Sequence, residues 1–314
     1  MAFPTLTTSR VEPQITNILQ AYTNDDFIAD KVLPSVPNLK EESGKIAGIG
    51  NSHLRIYKSK RALYDEGEHR MEFTYTNDDR YQIEYYDLEA YLPDRLRDQA
   101  QAPFDVKRDA TLIVMQSLML ERENALATAL GDTSIVTQNT TLSGTSQFND
   151  YVNSDPAAVI ETARTTIYEA TGKEANSMII SRAVFNTLKR HPFFLEMVKG
   201  VKVISGSVLI GLIQDYFEIE NVYIGKTIKI TSNEGQTETK SVTWGKNIIL
   251  FYKPAQASIL APSFGYNFTL AGKNLRASSR RHQNDKGDLH RVDWAYQDMI
   301  LDTNCGYLIK NAIA

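Results

Sequence analysis

The feature that most constrains this chain is a long two-stranded projection that it has no means of burying. Strand candidates at Lys45–Tyr57 and Met71–Tyr75 flank KSKRALYDEGEHR (residues 58–70), thirteen residues dense in charge. A lone hairpin of this kind is only marginally stable in water. Residues 44–80 therefore need a surface from elsewhere. The segment before them makes the same demand. Residues 1–43 hold one helical patch, Val11 to Tyr22, with Ile15, Ile18, Leu19 and Tyr22 at helical spacing. DFIADKVLPSVPN follows, where Pro34 and Pro37 favour an extended arm.

The next strand carries a broken rhythm. In RYQIEYYDLEAYLPD (residues 80–94), Tyr81, Ile83 and Tyr85 alternate with polar residues, and then Tyr86, Leu88 and Ala90 take over the apolar beat. A one-residue shift sends the following side chains to the opposite face. The tyrosines at 81, 85, 86 and 91 fit a core or a subunit contact, since Tyr offers large contact area and tolerates a wet edge.

Residues 103–131 give the clearest helix. Pro103 suits a first turn, Asp105 the positive N-terminal end, and Gly131 a stop at C′. Val106, Ala110, Ile113, Val114, Ser117, Leu118, Ala125 and Ala129 recur at steps of three and four. Such a helix is a rod of roughly 40 Å, long against the usual dozen residues. Residues 132–154 are polar and read as a connecting loop. A compact α/β unit follows. Helices begin at Asp155-Pro156, Ser181 and Pro192 and run through 205–217. Strands lie at 177–180 and 221–225, with a hairpin around NEGQ and a buried run at IILFYK (248–253). The chain then returns to β, with GYNFTL, RVDWAYQDMIL and GYLIKNAI. The overall class is α+β.

A search for chemistry finds none. GQTETKS lacks the glycine a phosphate loop needs, and GIGNSH lacks both a third glycine and a following helix. There is no Gly-x-Ser-x-Gly elbow and no HEXXH. His282 and His290 flank a turn, and a charged solvent-facing hairpin explains them better than a metal clamp. No catalytic, cofactor-binding or metal-ligating residue is expected, and no enzyme activity. The single Cys305 excludes an intrachain disulfide and fits a reducing compartment. No apolar stretch of transmembrane length is present, and no secretory signal is expected from the first residues. The net charge of −4 argues against a dedicated DNA-reading domain but not against a protein that encloses DNA without gripping it.

Taken in order, FIADKVLPSVPN, the tyrosine-rich strand before the long helix, VTWGKNIILFYK and the final GYLIKNAI resemble the HK97-fold major capsid protein of tailed bacteriophages over nearly the whole chain. The resemblance implies an N-terminal arm at residues 1–43 and an E-loop β-hairpin at 44–80. It implies a peripheral domain at 81–155 and 248–314, built on a long spine helix, and an α/β axial domain at 156–247. The implied function is structural: pentamers and hexamers closing into an icosahedral shell around double-stranded DNA, with no sequence-specific binding. The implied location is the virion capsid, assembled in the bacterial host cytoplasm. The chain itself is the main partner, with room for portal, scaffolding and decoration proteins, and no membrane is involved.

On this reading Lys58, Lys60, Arg61, Tyr64, Glu66, Arg70, Tyr81, Ile83 and Tyr85 meet a neighbouring subunit, and Arg276, Arg280 and Arg281 form a basic patch toward DNA. A β-bulge at Tyr85–Tyr86 would mark the passage from the projecting hairpin to the subunit's own core. Two features depart from parts of the family. No long charged helical segment precedes the arm, so a fused scaffold is not expected. No acidic catalyst can be matched to Lys58 or Lys60, so lysine crosslinking is not carried over. The competing readings are an encapsulin-type shell with protein cargo and a soluble enzyme with an unrecognised site.

Overall fold

The computed structural model describes residues 10–11, 13, 16, 19, 26–46, 80–99, 105–198, 203–233, 235–257, 262–273, 275–282 and 286–314. Strand β1 (Arg10–Val11) is followed by helical residues at positions 13, 16 and 19, of which Leu19 is buried. The expected arm is not simply extended. It forms a short helix, α1 (Ala29–Val32), then strand β2 (Ser35–Leu39), with Ile28, Ala29, Val32 and Leu33 all buried. Strands β3 (Ser43–Lys45), β4 (Arg80–Gln82) and β5 (Glu84–Pro93) come next, then helix α2 (Asp94–Gln99).

Helix α3 (Val106–Leu130) is the long rod. The Asp105 side chain caps it by accepting from the Arg108 N–H at 3.2 Å. Gly131 ends it at φ −89°, in ordinary right-handed geometry, so its left-handed freedom goes unused. The buried face also differs from the expected one. Thr111, Val114, Met115, Leu118, Met119, Arg122, Glu123, Leu126, Ala127 and Leu130 point inward, while Ile113 is 62% exposed. The apolar spacing misplaced the stripe because two charged residues belong to it.

The segment 132–154 is less of a loop than its polarity implied. It supplies edge strand β6 (Asn139–Thr141) and buries Val136, Leu142 and Phe148. Helix α4 (Pro156–Thr171) starts at Asp155, whose carboxylate accepts from the Ala157 and Ala158 N–H groups, and stops at Gly172 in the left-handed region (φ 67°). Then follow β7 (Ser177–Ser181), α5 (Arg182–Leu188), α6 (Pro192–Met197), α7 (Gly206–Phe217) and β8 (Asn221–Gly225). A hairpin of β9 (Ile228–Ile230) and β10 (Lys240–Val242) leads to β11 (Ile248–Phe251). The chain closes with β12 (Gly265–Leu270), β13 (Arg276–His282), β14 (Gly287–Ile300) and β15 (Gly306–Lys310).

Two sheets organise these elements. The five-stranded sheet runs β6-β15-β11-β7-β8. One face, with Met178, Ile180, Ile248, Leu250 and Ile309, packs on α4 to α7. The other, with Ile179, Ile249, Phe251 and Leu308, packs on the end of α3, on the α1 segment and on Trp244. The expected boundary between residues 247 and 248 falls inside this sheet. The apolar strand β11 needs partners on both edges and takes β7 from one side of that boundary and β15 from the other.

The six-stranded sheet is built on β14, with β5 along one edge and β13 and β12 in succession along the other. Val292, Trp294 and Tyr296 face α3 together with Tyr86 and Ala90. The opposite face carries Tyr266, Phe268, Leu270 and Ala295, packed with Ile83 and Tyr81. This corrects the bulge expected at Tyr85–Tyr86. Strand β5 pairs with β14 from Glu84 to Pro93 in unbroken register. The interruption falls at Ile83, whose N–H donates to the Glu42 carbonyl at 2.8 Å. The apolar beat changes because the sheet has two apolar faces, used by different stretches of one strand.

Among the described residues, no three His, Cys, Asp or Glu are grouped to hold a metal ion, and no helix is long and apolar enough to cross a membrane. His191 is structural. It is buried at the start of α6, where Nδ1 accepts the Phe193 N–H at 3.3 Å. The ring proton therefore sits on Nε2 and is donated to Ser154 Oγ at 3.1 Å, and that hydroxyl donates to the Asp150 carbonyl at 2.5 Å. Burial pushes the imidazole below its ordinary 6.5, against the opposing pull of Asp155. A neutral ring is thus favoured by the fold. Its contribution to stability is complete above pH 6.5 and is lost as pH falls from there through the lowered folded value. Urea denaturation should find His191→Asn, which keeps a cap acceptor, destabilised relative to the parent at pH 7.5, with the gap narrowing toward pH 5.5. A gap that stays constant or widens would contradict the neutral assignment.

Candidate subunit-contact surface

Strands β3 and β4 pair antiparallel, with Lys45 opposite Arg80. The two ends of the stretch between Lys45 and Arg80 are therefore held side by side. Residues 47–79, with the expected contact residues Lys58, Lys60, Arg61, Tyr64, Glu66 and Arg70, lie outside the described residues.

The root of this excursion is fixed to the six-stranded sheet. Tyr81 stacks on Phe268 with centroids 5.1 Å apart and planes 17° from parallel. Gly44 allows this, because a Cβ there would lie 2.6 Å from the Tyr81 ring. Ile83 is 4% exposed within the chain's own core. Tyr85 differs, at 48% exposed. Its hydroxyl donates to Glu42 Oε1 at 2.5 Å and accepts from Lys273 Nζ at 2.8 Å, and the ammonium lies 4.9 Å from the ring centroid. The Tyr85 hydrogen bond, helped by Lys273, holds the Glu42 carboxyl below its usual range. Of the three strand residues expected at a subunit contact, Ile83 is buried in the chain's own core, Tyr81 is half-buried against Phe268 and Tyr85 is at the surface.

The support beneath the surface is the charged pair on α3. The Arg122 guanidinium clamps Asp298 through Nε (2.7 Å) and Nη2 (2.9 Å), and its Nη1 donates to Asp30. It also lies 5.0 Å from the Trp294 centroid and 4.9 Å from that of Tyr296. Burial opposes this charge, but the two carboxylates outweigh it and the guanidinium is held more firmly protonated than usual. Asn267 Nδ2 donates to Asp298 at 2.6 Å, which adds β12 to the group. Glu123 points toward the other sheet. Its carboxylate accepts the Ile28 and Ala29 N–H groups at 3.0 and 2.7 Å and the Trp244 indole N–H at 2.6 Å. Burial raises its pKa, outweighing these donors. The sequence reading missed both residues. Their signal is that LERENAL puts Arg and Glu in phase with Val114/Met115, Leu118/Met119 and Leu126/Ala127.

No family model matches the chain. A curated relative, the major capsid protein of Burkholderia phage BcepMu, is 31% identical over 307 residues, covering 96% of each chain. This chain belongs to the family of phage major capsid proteins. The major capsid protein of Pseudomonas phage JBD67 is 25% identical over 326 residues, covering 97% of each. Among solved structures, a phage-related protein from Bordetella bronchiseptica is 26% identical with a TM-score of 0.76, covering 97% of this chain and 98% of that one. The capsid protein of cyanophage P-SCSP1u shares the fold at 10% identity, with a TM-score of 0.57 over 89% and 86% of the two chains. The resemblance read from the sequence thus holds at the level of the family.

In this capsid protein the three arginines expected to face DNA lie on β13. Arg280 donates to Glu89 at 2.8 Å. Arg281 pairs with Asp94 and, at 3.2 Å, with Asp288. Arg276 is half-buried and stands opposite Asp293. Arg97 and Arg291 join the same lattice of charges. The patch is thus basic in sequence and largely neutralised in space.

The tie within the capsid protein is open to test. Arg122→Ala leaves Asp298 facing the core without its partner and should cost about 3–5 kcal/mol in urea denaturation. Lys273→Ala removes a solvent-screened surface ion pair and should leave the urea midpoint nearly unchanged. Equal losses for the two would contradict a special role for Arg122.

Proposed function

We propose that this capsid protein assembles as pentamers and hexamers into an icosahedral shell that encloses the double-stranded DNA genome of a tailed phage. The observation that carries the reading is the pairing of Lys45 with Arg80. It brings the two ends of the stretch between them together, and the charged sequence in between has little to bury alone. Heterologous contacts between identical chains close into rings or extended lattices, and a projection of this kind supplies one side of such a contact. Residues 1–43 then serve as the arm, 44–80 as the E-loop, and α3 as the spine of a peripheral domain. The helices α4 to α7 with their sheet serve as the axial domain. Tyr85, with the charged residues of 58–70, is the proposed meeting point with a neighbour.

The role is structural and non-enzymatic, in a virion capsid assembled in the host cytoplasm. Containment of DNA needs no gripping surface. The net charge of −4 and the internally paired arginines of β13 agree with a wall that encloses its genome and does not bind it tightly. Portal, scaffolding and decoration proteins are the further partners such a shell would use.

Size-exclusion chromatography and negative-stain microscopy test the reading. The expressed chain should give capsomers, sheets or hollow particles, and a monomer at every concentration would refute it. Particles filled with protein cargo and lacking nucleic acid would indicate a cargo compartment instead. Deletion of residues 60–69 should leave the subunit with an unchanged melting temperature and poor assembly. Normal particles from that deletion would remove the role given to the projection.

A further inference from the structure

Helix α7 carries opposite charges at its two ends, arranged against its own dipole. Beyond its C-terminus, Glu218 stands in the left-handed region (φ 53°) with its side chain 74% exposed. It shares a single guanidinium, that of Arg164, with Glu174 and Glu161 at 3.5–3.6 Å. Three carboxylates thus crowd one cation, and Asp215 and Glu220 are exposed beside them. At the N-terminal end, Lys189 approaches Gly206 closely, and its carbonyl accepts the Ile204 N–H at 3.2 Å. Lys189 and the exposed Arg190 border a recess of about 400 Å³, lined also by Tyr151, Asn186 and the half-exposed Val203. Neither cation has an acidic partner among the described residues.

A helix terminus favours the opposite sign of charge at each end, acids at the N-terminus and bases at the C-terminus. Here the acids gather at the C-terminal end and the cations at the N-terminal end, so both groups work against the helix that separates them. They cannot compensate each other either. Twelve helical residues hold them roughly 18 Å apart, more than two Debye lengths of about 8 Å at physiological salt. A lone subunit gains nothing from this polarity. A row of copies related head to tail does, since the acidic end of each meets the basic recess of the next.

We infer that Glu174 and Glu218 of one copy seat against the Lys189–Arg190 recess of the adjacent copy, and that this contact joins neighbouring α/β units within a ring. The inference rests on the shell-building reading and specifies one of its contacts. The occupant is a second copy of this chain because the exposed acids and a recess of opposite charge are both present on each copy, at opposite ends of one element.

Two charge-reversed variants test it. Glu174→Lys with Glu218→Lys presents cations at both ends, and Lys189→Glu with Arg190→Glu presents acids at both ends. Each alone should keep a cooperative melt but lose at least about tenfold in particle or capsomer yield through like-charge contact. Co-expressed, the two should recover assembly in alternating even-membered rings, and one chain carrying all four changes should recover it in every ring. Assembly of either variant at the parental level would overturn the inference, as would failure of both rescues. A parental chain that stays monomeric would overturn the shell reading, and the inference with it. A parental chain that assembles alongside indifferent variants removes only this contact.

Discussion

The fold hangs on a change of partner partway along one helix. Over most of its length α3 lies against the six-stranded sheet through Val114, Met115, Leu118 and Met119, and at its end it enters the core of the five-stranded sheet through Leu126, Ala127 and Leu130. Arg122 and Glu123 sit at the changeover. Arg122 binds back toward β14 through Asp298, and Glu123 binds forward to α1 and Trp244. Two apolar residues here would bind neither sheet in a particular register. A charge with fixed hydrogen-bonding geometry is costly to misplace in a core. The pair therefore sets the angle and height at which two separately built sheets share one rod. Asp30 belongs to the same group, so the arm is docked by the interaction that joins the sheets.

The six-stranded sheet shows a second consequence of building one subunit from two layers. Its strands do not keep one wet face. Where α3 covers it, β14 buries Val292, Trp294 and Tyr296; where the β3–β4 root covers it, the opposite side buries Ala295, Phe268 and Ile83. A stretch of chain that serves both layers shows an apolar beat that changes phase, here across the interruption at Ile83. The charged lattice of Arg280, Glu89, Arg291 and Asp87 occupies the part of the sheet away from that apolar cluster.

Much of this was legible in the sequence, and the failures share a cause. The starts of α3 and α4 were readable because Asp105 and Asp155 act locally, through backbone groups a few residues away. The strands 177–181 and 248–251 were readable as short apolar runs, and 265–270 because Tyr266, Phe268 and Leu270 alternate with smaller or polar residues. The face of α3 was misjudged because Arg122 and Glu123 are buried only by partners more than ninety residues away in the chain. Strand β6 was hidden because Asn139–Thr141 is an edge strand, polar in composition and held by its parallel pairing with β15. The acidic partners of the β13 arginines were hidden because Glu89 and Asp94 lie 191 and 187 residues from Arg280 and Arg281 in the chain. In each case the deciding interaction is long-range, and no window along the chain contains both partners.

The pairing of Lys45 with Arg80 reaches beyond any single subunit. Antiparallel partners hold their backbones about 5 Å apart, so the excursion between them can change in length or content without moving the sheets. Doubling a flexible loop adds only about 0.6 kcal/mol of closure cost. Lys45 and Arg80 therefore form a closed gate in the backbone, at which a stretch of another length could be spliced with its ends already together. The stacking of Tyr81 on Phe268 anchors that gate to the six-stranded sheet.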